Sequence, residues 1–126
     1  SNTINFGNGA NINGTIEDQG TLYMTGDVSS FTGVLNVMGK ASVGLTAEEA
    51  SETLNPMQGS VLVVKAGTTL NGSTSVGSSA SATSNGSSLS VLSDGTLAIV
   101  ATDDYTEGTP LVRYSLYRRR FHGKTG

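Results

Sequence analysis

The side chains able to do chemistry in this chain are few and poorly grouped. Acids occur as adjacent pairs at Glu17-Asp18 and Asp103-Asp104, with Glu48, Glu49 and Glu52 forming a third set. Glycoside hydrolysis needs a carboxylate pair converging on one bond. Neighbouring residues of a strand point to opposite faces, so neither adjacent pair converges. A polysaccharide lyase would also want a base near its acids, and residues 1–112 hold only Lys40 and Lys65. His122 is the only histidine, which removes multi-histidine metal sites and leaves no base near the body for a serine nucleophile. Cysteine is absent, which removes thiolate chemistry and disulfides. Gly7-Asn-Gly9 is not followed by the Lys-Ser/Thr step of a phosphate loop. The expectation is a chain with no catalytic, cofactor-binding or metal-binding residues and no cofactor.

Charge narrows the partners. The net charge is −3. Residues 1–112 carry ten acids and two bases, hence −8; residues 113–126 carry five bases and no acid, hence +5, and −8 + 5 = −3. An acidic body argues against nucleic acid. The longest apolar runs, 61–64 and 97–101, fall far short of the ~20 residues that cross a bilayer. No basic region followed by an apolar core opens the chain, so it reads as a mature or excised segment.

The elements that would position any site show in a repeat. Glycine followed by apolar residues at +2 and +4 recurs in Gly20-Thr-Leu22-Tyr-Met24, Gly33-Val-Leu35-Asn-Val37, Gly59-Ser-Val61-Leu-Val63 and Gly95-Thr-Leu97-Ala-Ile99. That spacing places both apolar side chains on one face of a strand. Gly14 to Gly33 and Gly20 to Gly39 are both 19 residues apart. Gly33 to Gly59 is 26 and Gly59 to Gly95 is 36, so insertions at about 45–55 and 73–88 restore the period. The reading is all-β, a parallel β-solenoid of about 19 residues per coil over residues 1–112. Residues 113–126 would be a final strand and basic tail, the strand starting near Leu111.

The first insertion reads as a short helix, with Thr46 as N-cap, Glu49 completing a capping box and Asn55-Pro56 ending it. Its glutamates then serve the helix dipole rather than a metal. The second insertion, 73–88, reads as a loop of small polar residues. Asn13-Gly-Thr15, Asn71-Gly-Ser73 and Asn85-Gly-Ser87 read as turns rather than glycosylation sites. Leu22, Met24, Leu35, Val37, Val61, Val63, Leu97 and Ile99 are expected inside; Tyr23, Asn36 and Ala98 outside or in a less buried layer.

Residues 20–26, Ser30-Phe-Thr-Gly33, Val34-Leu-Asn-Val37 and Asp94-Gly-Thr-Leu-Ala-Ile-Val100 resemble the autotransporter-associated β-strand repeats. The resemblance spans roughly residues 14–100. It implies a right-handed parallel β-helix in the passenger of a self-secreting bacterial surface protein, anchored by an outer-membrane barrel. No alternating barrel strands follow residue 100, and the basic ending Tyr117-Arg-Arg-Arg-Phe-His122 departs from the family's style. The implied function is a non-catalytic structural or adhesive module, secreted or on the bacterial surface. Its expected partners are host or matrix glycans and proteins, or further copies of itself end to end. The alternatives are a segment of an extracellular fibre, such as a phage tail fibre or matrix filament, and less favourably a polysaccharide-acting β-helix enzyme.

Overall fold

The computed structural model describes residues 1–83 and 87–100. The expected strand at 111–117, the basic segment, the Asp103-Asp104 pair, His122 and the Asn85 turn lie outside the described residues.

Among the described residues nine strands form two parallel sheets. The first sheet contains β1 (Asn2–Phe6), β3 (Thr21–Gly26), β5 (Lys40–Val43), β6 (Ser60–Lys65) and β9 (Gly95–Val100), in that order. The second contains β2 (Thr15–Asp18), β4 (Val34–Val37), β7 (Ser73–Val76) and β8 (Ser88–Val91). The chain alternates between them at first, so each new strand lies beside the one before last. The 19-residue spacing is the ladder offset: Thr15 pairs with Val34 and Thr21 with Lys40.

Glycine stacks mark the corners. A Cβ on Gly33 would collide with the Gly14 carbonyl, one on Gly72 with the Gly33 carbonyl, and one on Gly39 with the Gly20 carbonyl. Backbones approach there more closely than any side chain permits. Beside them, Val34 N–H donates to Gly14 O at 2.8 Å and Ser73 N–H to Gly33 O at 2.9 Å.

The core runs between the sheets in columns. Leu22, Ala41, Leu62 and Leu97 form one, and Met24, Val43, Val64 and Ile99 another. From the second sheet, Leu35, Thr74 and Leu89 share a column, as do Val37, Val76 and Val91. Phe6 and Phe31 meet edge to face at the corner, with centroids 5.9 Å apart.

Helix α1 (Ala47–Leu54) forms as its sequence requires. Thr46 Oγ1 accepts from Glu49 N–H at 3.1 Å, and a Glu49 carboxylate oxygen accepts from Thr46 N–H at 3.0 Å. The Lys40 ammonium donates to the Leu54 carbonyl at 3.1 Å, satisfying one orphan of the helix end. Ala50 and Leu54 pack on the outer face of the first sheet with Leu45, Val61 and Val63.

That helix corrects one expectation. Val61 and Val63 face outward beneath α1, while Leu62 and Val64 enter the core. All of these are buried, so the run Ser60–Lys65 has no alternation to read. The strand is one residue out of the expected register for that reason. Leu22, Met24, Leu35 and Val37 are buried core residues as expected, and Leu97 and Ile99 are partly buried against them. Tyr23 and Ala98 are partly buried on the outer face, under the helix.

The second correction concerns residues 73–88, expected as a loop. Ser73–Val76 is a buried strand between β4 and β8. Its Ser-Thr-Ser composition resembles a loop, yet Thr74 and Val76 fill core columns. Residues 77–83, which follow this strand, run over the outer face of the second sheet. There Ala82 N–H donates to Asn36 Oδ1 at 2.6 Å and Ala80 is buried. Asn36 faces outward as expected but, under this cover, is only 2% exposed rather than less buried. Gly33 thus stacks on Gly72, not on Gly59, whose own Cβ position is open space.

Candidate functional site

Three places concentrate polar chemistry. The first is a cleft of about 440 Å³ between the Gly26–Ser29 turn and the Lys65–Thr69 turn. Its acid is Asp27, whose carboxylate accepts from Ser29 Oγ at 2.5 Å and from Ser30 Oγ at 3.3 Å. Those bonds, the Ser29 hydroxyl first, hold Asp27 below the usual carboxylate range. A carboxylate so stabilised is a poor proton carrier and serves the turn. Ser30 Oγ also reaches the Gly7 carbonyl at 2.9 Å, and Asn71 Nδ2 reaches the Ser29 carbonyl at 2.9 Å. The Asp27 turn is thereby stitched to the layers on either side.

The second place is the Asp94 carboxylate, which accepts from the Ser78 hydroxyl, and from Ser78 N–H at 3.2 Å. The Ser78 hydroxyl first, then its amide, holds the Asp94 carboxyl below the usual carboxylate range. This pair ties the 77–83 loop to the β8–β9 turn.

The third place is the outermost layer, residues 2–18. Its β1 and β2 each pair on one side only among the described strands. Ile12 bridges to Phe31 between them, so the whole layer rests on residues 21–37. Alternation along Thr15-Ile16-Glu17-Asp18 sends Ile16 and Asp18 inward and Glu17 outward. The outward Glu17 carboxylate accepts from Asn36 Nδ2 at 3.2 Å. Asp18 stands at the head of the column Val37, Val76, Val91 and is 7% exposed. One of its carboxylate oxygens is buried with no hydrogen-bond partner.

Burial therefore raises Asp18 from 3.8 to about 6, against the opposing bond from the Gly20 backbone. The folded state holds its proton more tightly than the unfolded chain does. The Asp18 contribution to stability is accordingly fully present below about pH 4 and is lost as pH rises through 6. A shift of that size corresponds to about 3 kcal/mol at neutral pH. Asp18→Asn, whose buried amide also lacks a partner, is expected to raise unfolding stability by about 2 kcal/mol near pH 7.5, with the gain fading toward pH 4. Urea titrations of both proteins across that range check it; a gain independent of pH would mean the carboxylate is not the cause.

Glu17 and Asp18 point to opposite faces, as their adjacency requires, and do not form a carboxylate pair on one substrate bond. Among the described residues no group of three or more His, Asp or Glu could hold a metal ion. No described helix is long and apolar enough to cross a membrane. The inward placement of Asp18 was legible in principle: once Ile16 is assigned to the core, its +2 neighbour follows. Comparison with family models, with curated proteins and with solved structures finds no match to this chain.

Proposed function

We propose that the chain is a β-solenoid segment acting as a non-catalytic structural or adhesive module of an autotransporter-like passenger, secreted or displayed on a bacterial surface. The observation that carries this reading is the stacking of Gly14, Gly33 and Gly72 beside parallel ladders offset by 19 residues or more. Such stacking builds a stiff body from short, weakly apolar coils, because each coil buries its interior only against its neighbours. The acidic, hydroxyl-rich exterior suits display in water, and excursions such as α1 and the 77–83 loop suit presentation of contacts to host or matrix glycans and proteins. The rival reading is an extracellular fibre segment, which β1 and β2, edge strands among the described residues, favour.

Light scattering at about pH 7.5 separates the two. A single-chain solenoid module is expected to be monomeric there; a stable trimer would replace it with the fibre reading. Incubation with acidic and neutral polysaccharides should release no new reducing ends, and release would overturn the non-catalytic assignment.

A further inference from the structure

One corner is left out of the stack. Segments 7–14, 27–33 and 66–72 each carry the chain from the first sheet to the second, after β1, β3 and β6. Strand β5 has no such segment: at Gly44 the chain leaves for α1 and comes back to the same sheet as β6. On the second sheet β4 and β7 are therefore direct neighbours, while β5 separates β3 from β6 on the first. Gly33 and Gly72 then lie one strand spacing apart, about 4.8 Å, whereas Gly26 and Lys65 lie two spacings apart, about 9.5 Å. The flanking turns must splay, and the 440 Å³ cleft is the wedge between them.

The wedge is lined largely by main chain. Gly26, Gly44 and Gly67 carry no side chain, and Ala66 only a methyl. A Cβ on Gly44 would collide with Thr68 Oγ1. In the filled corner between 6–12 and 27–32, main chain bonds to main chain. Asp27 N–H donates to Phe6 O at 3.0 Å, Ile12 N–H to Ser30 O at 2.9 Å and Thr32 N–H to Ile12 O at 2.8 Å. Among the described residues, 27–32 and 65–71 share one hydrogen bond, from Asn71 Nδ2 to the Ser29 carbonyl, toward the narrow end. The wedge thus has the height of the corner it stands in for and walls of the same backbone.

We propose that this wedge is a docking slot for an extended, uncharged peptide segment with small side chains, which takes the place of the corner that β5 lacks. The proposal rests on the adhesive-module reading and names its partner as polypeptide. One strand spacing of free height fits a single extended chain and excludes a helix, which is about 10–12 Å across. An added backbone gains affinity from main-chain hydrogen bonds, as when a peptide joins a sheet edge. Small side chains follow from the glycines and Ala66 on the walls. Charge selects neither sign, since the walls offer one acid, Asp27, and one base, Lys65. The Asp27 carboxylate is already engaged by Ser29 and Ser30. No aromatic ring lines the wedge, so the apolar face of a sugar would find no platform there.

Amide chemical shifts of the full, isotopically labelled chain test this. The probe is the acetylated, amidated peptide Ala-Gly-Thr-Thr, which copies residues 66–69. Saturable shifts are expected at Ser29, Gly44, Gly67 and Thr68, with a Kd of about 1–10 mM. Thr69→Trp, which fills the wedge from an exposed lining position, should weaken binding by about tenfold or more and leave the melting point unchanged. The same peptide with methylated main-chain nitrogens should not bind, because it has no N–H to donate. That arm decides the matter even if Thr69→Trp fails to fold. No saturable shift up to about 50 mM peptide would overturn the proposal. So would equal binding of the methylated peptide, or binding that a folded Thr69→Trp leaves intact. Shifts at these amides with N,N′-diacetylchitobiose and none with the peptide would make the wedge a glycan site and overturn the peptide assignment. Light scattering and the polysaccharide assay judge the module reading independently of every one of these outcomes.

Discussion

Removal of residues 73–88, closed by a short glycine-containing link, should abolish cooperative folding. From composition alone the deletion looks harmless, since loop closure costs change slowly with length. The segment is not a loop. It contains β7, which pairs with β4 on one side and β8 on the other. Thr74 and Val76 are 1% and 0% exposed, filling columns between Leu35 and Leu89 and between Val37 and Val91. Without them the second sheet is one strand short opposite β6 and β9. The inward Leu62 and Val64 would then lose core neighbours across the sheets. Cavities from a single buried residue already cost 2–5 kcal/mol, and a domain's whole stability is only about 5–15 kcal/mol. Circular dichroism and a thermal melt would show loss of the β signal and of the transition. A deletion of 79–83 alone should be far milder, since Asn36 then loses its cover but no ladder is broken. A cooperative melt in the larger deletion would show that β7 is dispensable.

Gly33→Ala carries the next largest expected effect. The added methyl would overlap the carbonyl oxygen of Gly14, a backbone atom that cannot rotate away. Gly14 O also accepts the Val34 N–H bond at 2.8 Å, so relief by separation stretches the β2–β4 ladder. We expect a loss of about 3 kcal/mol, at the upper end for an overpacked site, and a melting point lower by about 15 °C. Gly59→Ala is the internal contrast. Nothing lies within 4 Å of a Cβ there, and its φ of +82° makes the cost conformational rather than steric. Equal melting points for Gly33→Ala and the wild type would mean the corner is looser than its stacked backbones indicate.

The sequence by itself determined the parts that rest on local chemistry. The capping box at Thr46 and Glu49 formed because each side chain bonds its near neighbour's backbone. The 19-residue offsets at Gly14–Gly33 and Gly20–Gly39 were legible because strand pairing there follows chain order. The core positions Leu22, Met24, Leu35 and Val37 followed from sequence alternation, with Tyr23 and Asn36 standing between the apolar pairs.

Tertiary structure decided the rest. Helix α1 covers the outer face of the first sheet, which buries both sides of β6 and erases its alternation. The 77–83 loop does the same for Asn36 on the second sheet. Strand β7 was hidden because its inward residues are Thr74 and Val76, and only two flanking strands make a threonine there a core residue. Asp18 is the clearest case. Its adjacency to Glu17 is visible in the chain, but its cost is not. Only the valine column beneath it shows that an ordinary acid has become a buried one, because desolvation depends on what is packed around a charge and not on what precedes it in sequence.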